Sequence, residues 1–154
     1  MAGNIRIFPH AREEFPSLDT FVTWLHTSLK ARNGLYNLRA KNAADVPPGS
    51  IVLFRYGQEI VGEAVVIDKK IFDSPILERT FTGAEAKYEA RVAFVPSSIR
   101  LFVPAIPIDN IQSLINGTPE EKPLAGANLY YRFDDWSLYS NLLAVHIKNG
   151  GHFL

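Results

Sequence analysis

The chain has no cysteine. That absence removes disulfides, thiol nucleophiles and zinc–thiolate sites together, and it suits a reducing compartment such as the cytoplasm. Long apolar runs are missing too: none approaches the roughly 18 residues that a membrane-crossing helix requires. The N-terminal stretch MAGNIRIFPHAREEF lacks the basic segment and apolar run of a secretory signal. The expectation is a soluble, cytoplasmic protein that does not engage a membrane. Net charge is also absent, with 16 basic residues against 16 acidic ones, whereas a nonspecific nucleic-acid binder is usually basic overall.

Catalytic signatures are equally scarce. There is no P-loop, no Gly-x-Gly-x-x-Gly and no Gly-x-Ser-x-Gly elbow. His10, His26, His146 and His152 stand apart without metal-ligand spacing, so no metal or other cofactor is expected. The pairs Glu13-Glu14 and Glu120-Glu121 lie in polar, loop-like surroundings and read as solvated. The chain is therefore expected to bind rather than to catalyse. Any nuclease or NTPase activity would belong to a fused or associated domain.

What is present is an ordinary globular composition, 47% hydrophobic and 21% charged over 154 residues, which suits one domain spanning 1–154. Residues 4–8 alternate polar and apolar and predict a strand. Ser17 caps a helix in which Leu18, Phe21, Val22, Leu25 and Leu29 form a buried stripe, and Asn33-Gly34 ends it. An extended piece at 35–39 and a helical turn at 41–46 follow. Pro47-Pro48-Gly49 leads into a hairpin of 50–56 and 59–72, where Gly62 marks a bulge or a close backbone approach. Residues 73–85 read as an exposed excursion. Strands at 87–95 and 98–103 bend at Pro96, and a proline opens a short helix at 107–115.

A loop at 116–126, a last strand at 128–133 and a closing helix at 136–148 complete the chain. Asp134 or Asp135 caps that helix, and Asn149-Gly150-Gly151 ends it, with Gly150-Gly151 readable as the start of a linker to another domain. Runs of short, bent strands close up to remove exposed edges, so the order implies an α+β pseudo-barrel of about five to six strands flanked by helices.

Two local features point to a ligand. Between Lys30 and Arg55 lie Lys30, Arg32, Arg39, Lys41 and Arg55 against the single acid Asp45, with Lys69 and Lys70 soon after. This is either a scattered solvated surface or a phosphate-facing rim. The same region places Trp24, Tyr36, Phe54 and Tyr56 beside polar and basic neighbours. A flat ring stacks on a nucleobase for about 1–3 kcal/mol, and adjacent amides such as Asn37 can read the base edge. Against this, Val52, Phe54 and Tyr56 share one face of an alternating strand, where core is the commoner fate. Trp24 lies at the margin of its helix's apolar stripe, as a packing residue or a pocket wall.

Three stretches carry a family resemblance. Gly34-Leu35-Tyr36-Asn37-Leu38-Arg39-Ala40-Lys41-Asn42, Val46-Pro47-Pro48-Gly49-Ser50-Ile51-Val52-Leu53-Phe54 and Ile60-Val61-Gly62-Glu63-Ala64-Val65-Val66 resemble the EVE and YTH branch of the PUA-like superfamily. The likeness runs over residues 1–115 in order of elements, with Ser50 where the family often has Asp. It implies a curled barrel that holds a modified, usually methylated, nucleobase flipped from DNA into an aromatic pocket, as the specificity module of a modification-dependent restriction system. Such modules stand beside a motor or nuclease domain, at the N-terminus of a larger protein. On this resemblance Tyr36, Asn37 and Arg39 form the pocket edge, and Phe54 and Tyr56 the strand behind it. Trp24 and Trp136 enter only on the chemistry of their rings, and Lys30, Arg32, Arg39, Lys41 and Arg55 are the expected phosphate contacts. Three other readings stand beside it. One is an RNA-binding module of the same superfamily. Another is a small ASCH-type amidohydrolase acting on acylated nucleosides through Glu63, Lys41 and Thr23 or Thr27. The third is a protein scaffold whose rings are mostly core.

Overall fold

Eight strands form one mixed sheet with three helices packed against it, in the computed structural model, which describes residues 3–80, 82–126 and 130–154. Strand β1 (Ile5–His10) is buried along its whole length, because it lies parallel to β3 (Ile51–Tyr56) inside the sheet and is covered on both faces. Helix α1 runs through three consecutive segments, Leu18–Thr23, a π-helical turn Trp24–Ser28, and Leu29–Ala31. The Ser17 side chain accepts a hydrogen bond from the Thr20 amide at its start. Asn33 and Gly34, both at positive φ, end it, and a Cβ on Gly34 would sit 2.1 Å from the Phe94 carbonyl oxygen.

Strand β2 (Leu35–Leu38) pairs antiparallel with β5 (Glu85–Phe94). The long β4 (Glu59–Arg79) pairs with β3 and β6 (Arg100–Pro107) through its first part and with β5 beyond Val66. Gly62 stands where β3, β4 and β6 meet, next to register slips against both neighbours. A Cβ there would lie 2.7 Å from the Arg100 carbonyl oxygen, so the glycine permits the close approach its position in the sequence suggested. Helix α2 (Ile108–Ile115), the two-residue β7 (Arg132–Phe133), helix α3 (Trp136–Lys148) and β8 (His152–Phe153) follow. The sheet order is β2-β5-β4-β3-β1-β7, with β6 on β4 and β8 on β6.

The apolar side chains divide between the two faces. Phe8, Phe21, Leu25, Val52, Phe54 and Phe94 pack under α1 on one side. Ile5, Ile7, Leu53, Phe102, Ile111 and Leu138 pack under α2 and α3 on the other. The alternation of β3 is thus as its sequence implies. Among the described residues no helix is long and apolar enough to cross a membrane.

Three expectations need correction. Among the described residues the sheet curls but does not close into a barrel: β2 has β5 as its single strand partner, and β7 holds β1 only at Ile5 and Arg6. The segment 73–85 is exposed as expected, but it is strand rather than a connection, since β4 continues to Arg79 and β5 starts at Glu85, forming a ribbon that projects from the body. The turn-forming Asp73-Ser74-Pro75 is absorbed in a register irregularity between Ile71 and Ile76, where a ladder accepts proline. Gly150, at positive φ, turns the chain back after α3, so that Leu101 and Leu154 exchange backbone hydrogen bonds of 2.8 and 3.0 Å. Of the strand expected at 128–133, Arg132–Phe133 is seen, and Asn128 and Leu129 lie outside the described residues.

Candidate functional site

The incomplete curl leaves a seam between β1 and β2 that side chains, not backbone, bridge. His10 at the end of β1 meets the Tyr36 hydroxyl at 2.5 Å, and the Phe8 and Tyr36 rings lie 5.5 Å apart. Beside that seam opens a cavity of about 150 Å³, lined from β1 and the segment after it, α1, β2, the ribbon and the segment before β7. Its ring-bearing walls are Phe15, Trp24, Tyr36, Tyr88 and Tyr130. Trp24 stands edge-on to Tyr36 at 6.0 Å and leans on Phe15 at 5.3 Å, while Tyr130 is braced edge-to-face on Phe8 at 5.7 Å.

Burial decides the protonation of the floor. His10 is fully enclosed, and desolvation lowers its pKa to about 4, so it is neutral near pH 7. Its Nδ1 lies 3.2 Å from the Arg55 carbonyl oxygen, which can only accept. Nδ1 therefore carries the proton, and the bare Nε2 accepts the Tyr36 O–H. Desolvation also pushes the Tyr36 phenol well above its usual range, so it keeps its proton. Glu14 lines the same cavity, and burial raises its carboxyl pKa against the opposing pull of Arg39.

A polar clasp holds the ribbon beside the cavity. Asn37 Nδ2 donates to Glu78 at 2.5 Å, Arg91 Nε donates to Asn37 Oδ1 at 2.8 Å, and Glu78 pairs with Arg91 at 3.5 Å and Arg32 at 3.8 Å. The Asn37 side chain keeps one N–H and one lone pair beyond these bonds. The β2 backbone contributes as well. The Phe94 amide donates to Gly34, so by antiparallel alternation Tyr36 and Leu38 face β5, whereas the Asn37 N–H and C=O face the open edge. Arg32, Arg39 and Arg79 stand at the rim, against the acids Glu14 and Glu78.

The structure gathers Trp24, Tyr36, Asn37, Arg32 and Arg39 of the sequence-predicted set around this cavity. The rest lie elsewhere. Phe54 has no exposed surface and fills the core behind Tyr36, ring centroids 6.2 Å apart. Tyr56 stacks on Phe21 and donates its hydroxyl proton to the Phe15 carbonyl at 2.7 Å. Arg55 is 1% exposed and points into the opposite face, donating to the carbonyls of Gly57 and Leu124 and to Gln58. Its charge is spent inside the protein and does not reach a phosphate. Lys30 on α1 and Lys41 in the 3-10 turn Lys41–Ala44 are not among the lining residues. Trp136 sits on α3, in the other layer, with its indole N–H on the Gly3 carbonyl at 3.3 Å.

The amidohydrolase set is not assembled at the cavity either. Glu63 accepts from Arg100 Nε and from the Tyr139 hydroxyl, each at 2.6 Å, and Thr23 and Thr27 lie exposed on α1. Among the described residues no three His, Asp or Glu side chains converge as metal ligands. The residues that sequence reasoning missed include His10, Glu14, Phe15, Glu78, Arg79, Tyr88 and Tyr130. The alternation read at 4–8, continued past Pro9, puts His10 on the face of Asn4 and Arg6, so it gave no signal that His10 turns inward. No family model matches the chain, and no curated protein matches it.

Proposed function

We propose that this domain binds a single nucleobase in the cavity walled by Trp24, Tyr36 and Tyr130, as a reader of a modified base in DNA. One observation carries the reading: an open, ring-walled hollow with a partly free amide at Asn37 and three arginines on its rim. Rings offer a stacking face to any base, Asn37 offers a donor and an acceptor to its edge, and Arg32, Arg39 and Arg79 are placed for flanking phosphates. The curled α+β architecture and the sequence stretches around Tyr36 and Gly62 also support a PUA-like module of the EVE and YTH kind. In that role the chain is the specificity part of a restriction system in the cytoplasm, and the cutting activity belongs to an associated domain.

Binding titrations with methylated and unmethylated duplexes of one sequence test this. The unaltered protein is expected to prefer a methylated duplex, and Trp24→Ala to lose roughly tenfold or more of that affinity, the size of one lost stack. Equal affinity for every modified and unmodified duplex would defeat the reading. Stronger binding to single-stranded RNA of the same sequence would move the domain to RNA, since the 2′-hydroxyl tells the two apart.

A further inference from the structure

The proton chain at the cavity floor has a direction, and the direction selects a ligand. It begins at the Arg55 carbonyl, a group of β3 that has no proton to give. His10 Nδ1 must donate there, Nε2 must then accept, and the Tyr36 hydroxyl must spend its one proton on Nε2. What Tyr36 can present to the cavity is an oxygen lone pair and nothing else. Moving the His10 proton to Nε2 would free Tyr36 to donate, but it would set two bare acceptors against each other 3.2 Å apart in a fully buried place. The neighbouring Glu14 carboxyl adds further acceptor oxygens to the same lining.

We infer that the cavity prefers a base whose amino-bearing edge, as cytosine, adenine or their derivatives carry, is turned to Tyr36, and disfavours a keto edge there, with Tyr36 as the specificity-determining acceptor. A carbonyl oxygen placed against the Tyr36 oxygen meets a second acceptor, whereas an exocyclic N–H meets a partner. This rests on the proposed base site and adds to it the class of base admitted.

The test uses oligonucleotides in which a single probe base stands in an otherwise abasic strand, followed by fluorescence anisotropy. Cytosine against uracil and adenine against hypoxanthine are pairs that exchange an amine for a carbonyl. The amino member of each pair is expected to bind about tenfold tighter, the value of one hydrogen bond made or left unpaired. Tyr36→Phe keeps the ring and removes the acceptor, so the two members should then bind within about twofold of each other. Equal binding within both pairs by the unaltered protein, or a keto preference, overturns the inference and leaves base binding standing. A tenfold preference that survives in Tyr36→Phe overturns the role of Tyr36. If no base-bearing strand binds better than the fully abasic one, the base site itself is refuted and this selection with it.

Discussion

His10 shows how much a single residue couples in this protein. Almost wholly buried, it stays neutral in the folded state with a pKa of about 4, against 6.5 for a free imidazole. Below pH 6.5 the unfolded chain takes up a proton that the folded chain refuses, so stability falls as pH falls. The contribution is complete above that point and is lost progressively down to about pH 4, by on the order of 3 kcal/mol. Urea unfolding midpoints measured from pH 7 to pH 4.5 should drop accordingly, and His10→Gln should lack this part of the slope. A slope unchanged by the substitution would show that the proton goes elsewhere. Residue-level reading of the sequence succeeded where a local rule governs, as at the Ser17 cap and the Asn33-Gly34 stop. It failed at Arg55, because a guanidinium on a strand normally signals solvent, and only the carbonyls of Gly57 and Leu124 explain its burial.

At the scale of elements, the β4–β5 ribbon is the part most open to change. A two-stranded ribbon is marginal in water without packing on one face, and this one exposes Ile71 and Leu77. Its anchor to the body is the contact of Glu78 with Asn37, Arg32 and Arg91. Glu78→Ala should therefore speed amide hydrogen exchange across 76–79 and 85–88 while leaving β1 and β3 protected. Equal protection in both proteins would place the anchor elsewhere. The ribbon was illegible in the sequence because Asp73-Ser74-Pro75 has the composition of a loop, and only pairing with β5 shows that it is a bulge. The hairpin of β3 and β4 and the helix α3 were legible, since alternation and capping at those places need no distant partner.

Taken as a whole, the molecule is electrically balanced, and its cations at the cavity rim are few. If Arg32, Arg39 and Arg79 are the phosphate contacts, the logarithm of affinity for a single strand should fall with the logarithm of salt at a slope no steeper than about −2. A much steeper dependence in a salt titration would mean that binding spreads over another face. The site was only half readable in advance for a reason of the same scale. Trp24, Tyr36 and Asn37 are close in sequence, whereas His10, Tyr88 and Tyr130 join them only through the curl of the sheet. No spacing rule connects positions so far apart along the chain.

The unclosed sheet has one more implication. Where a barrel would have a continuous ladder of peptide bonds, this fold has one histidine–tyrosine contact, a phenylalanine ring and a space. If the proposed base is seated there, it touches strands that otherwise meet weakly and becomes a rivet across the gap. Recognition and resistance to heat are then one quantity, so a melting curve can sort cognate guests from the rest before their chemistry is known.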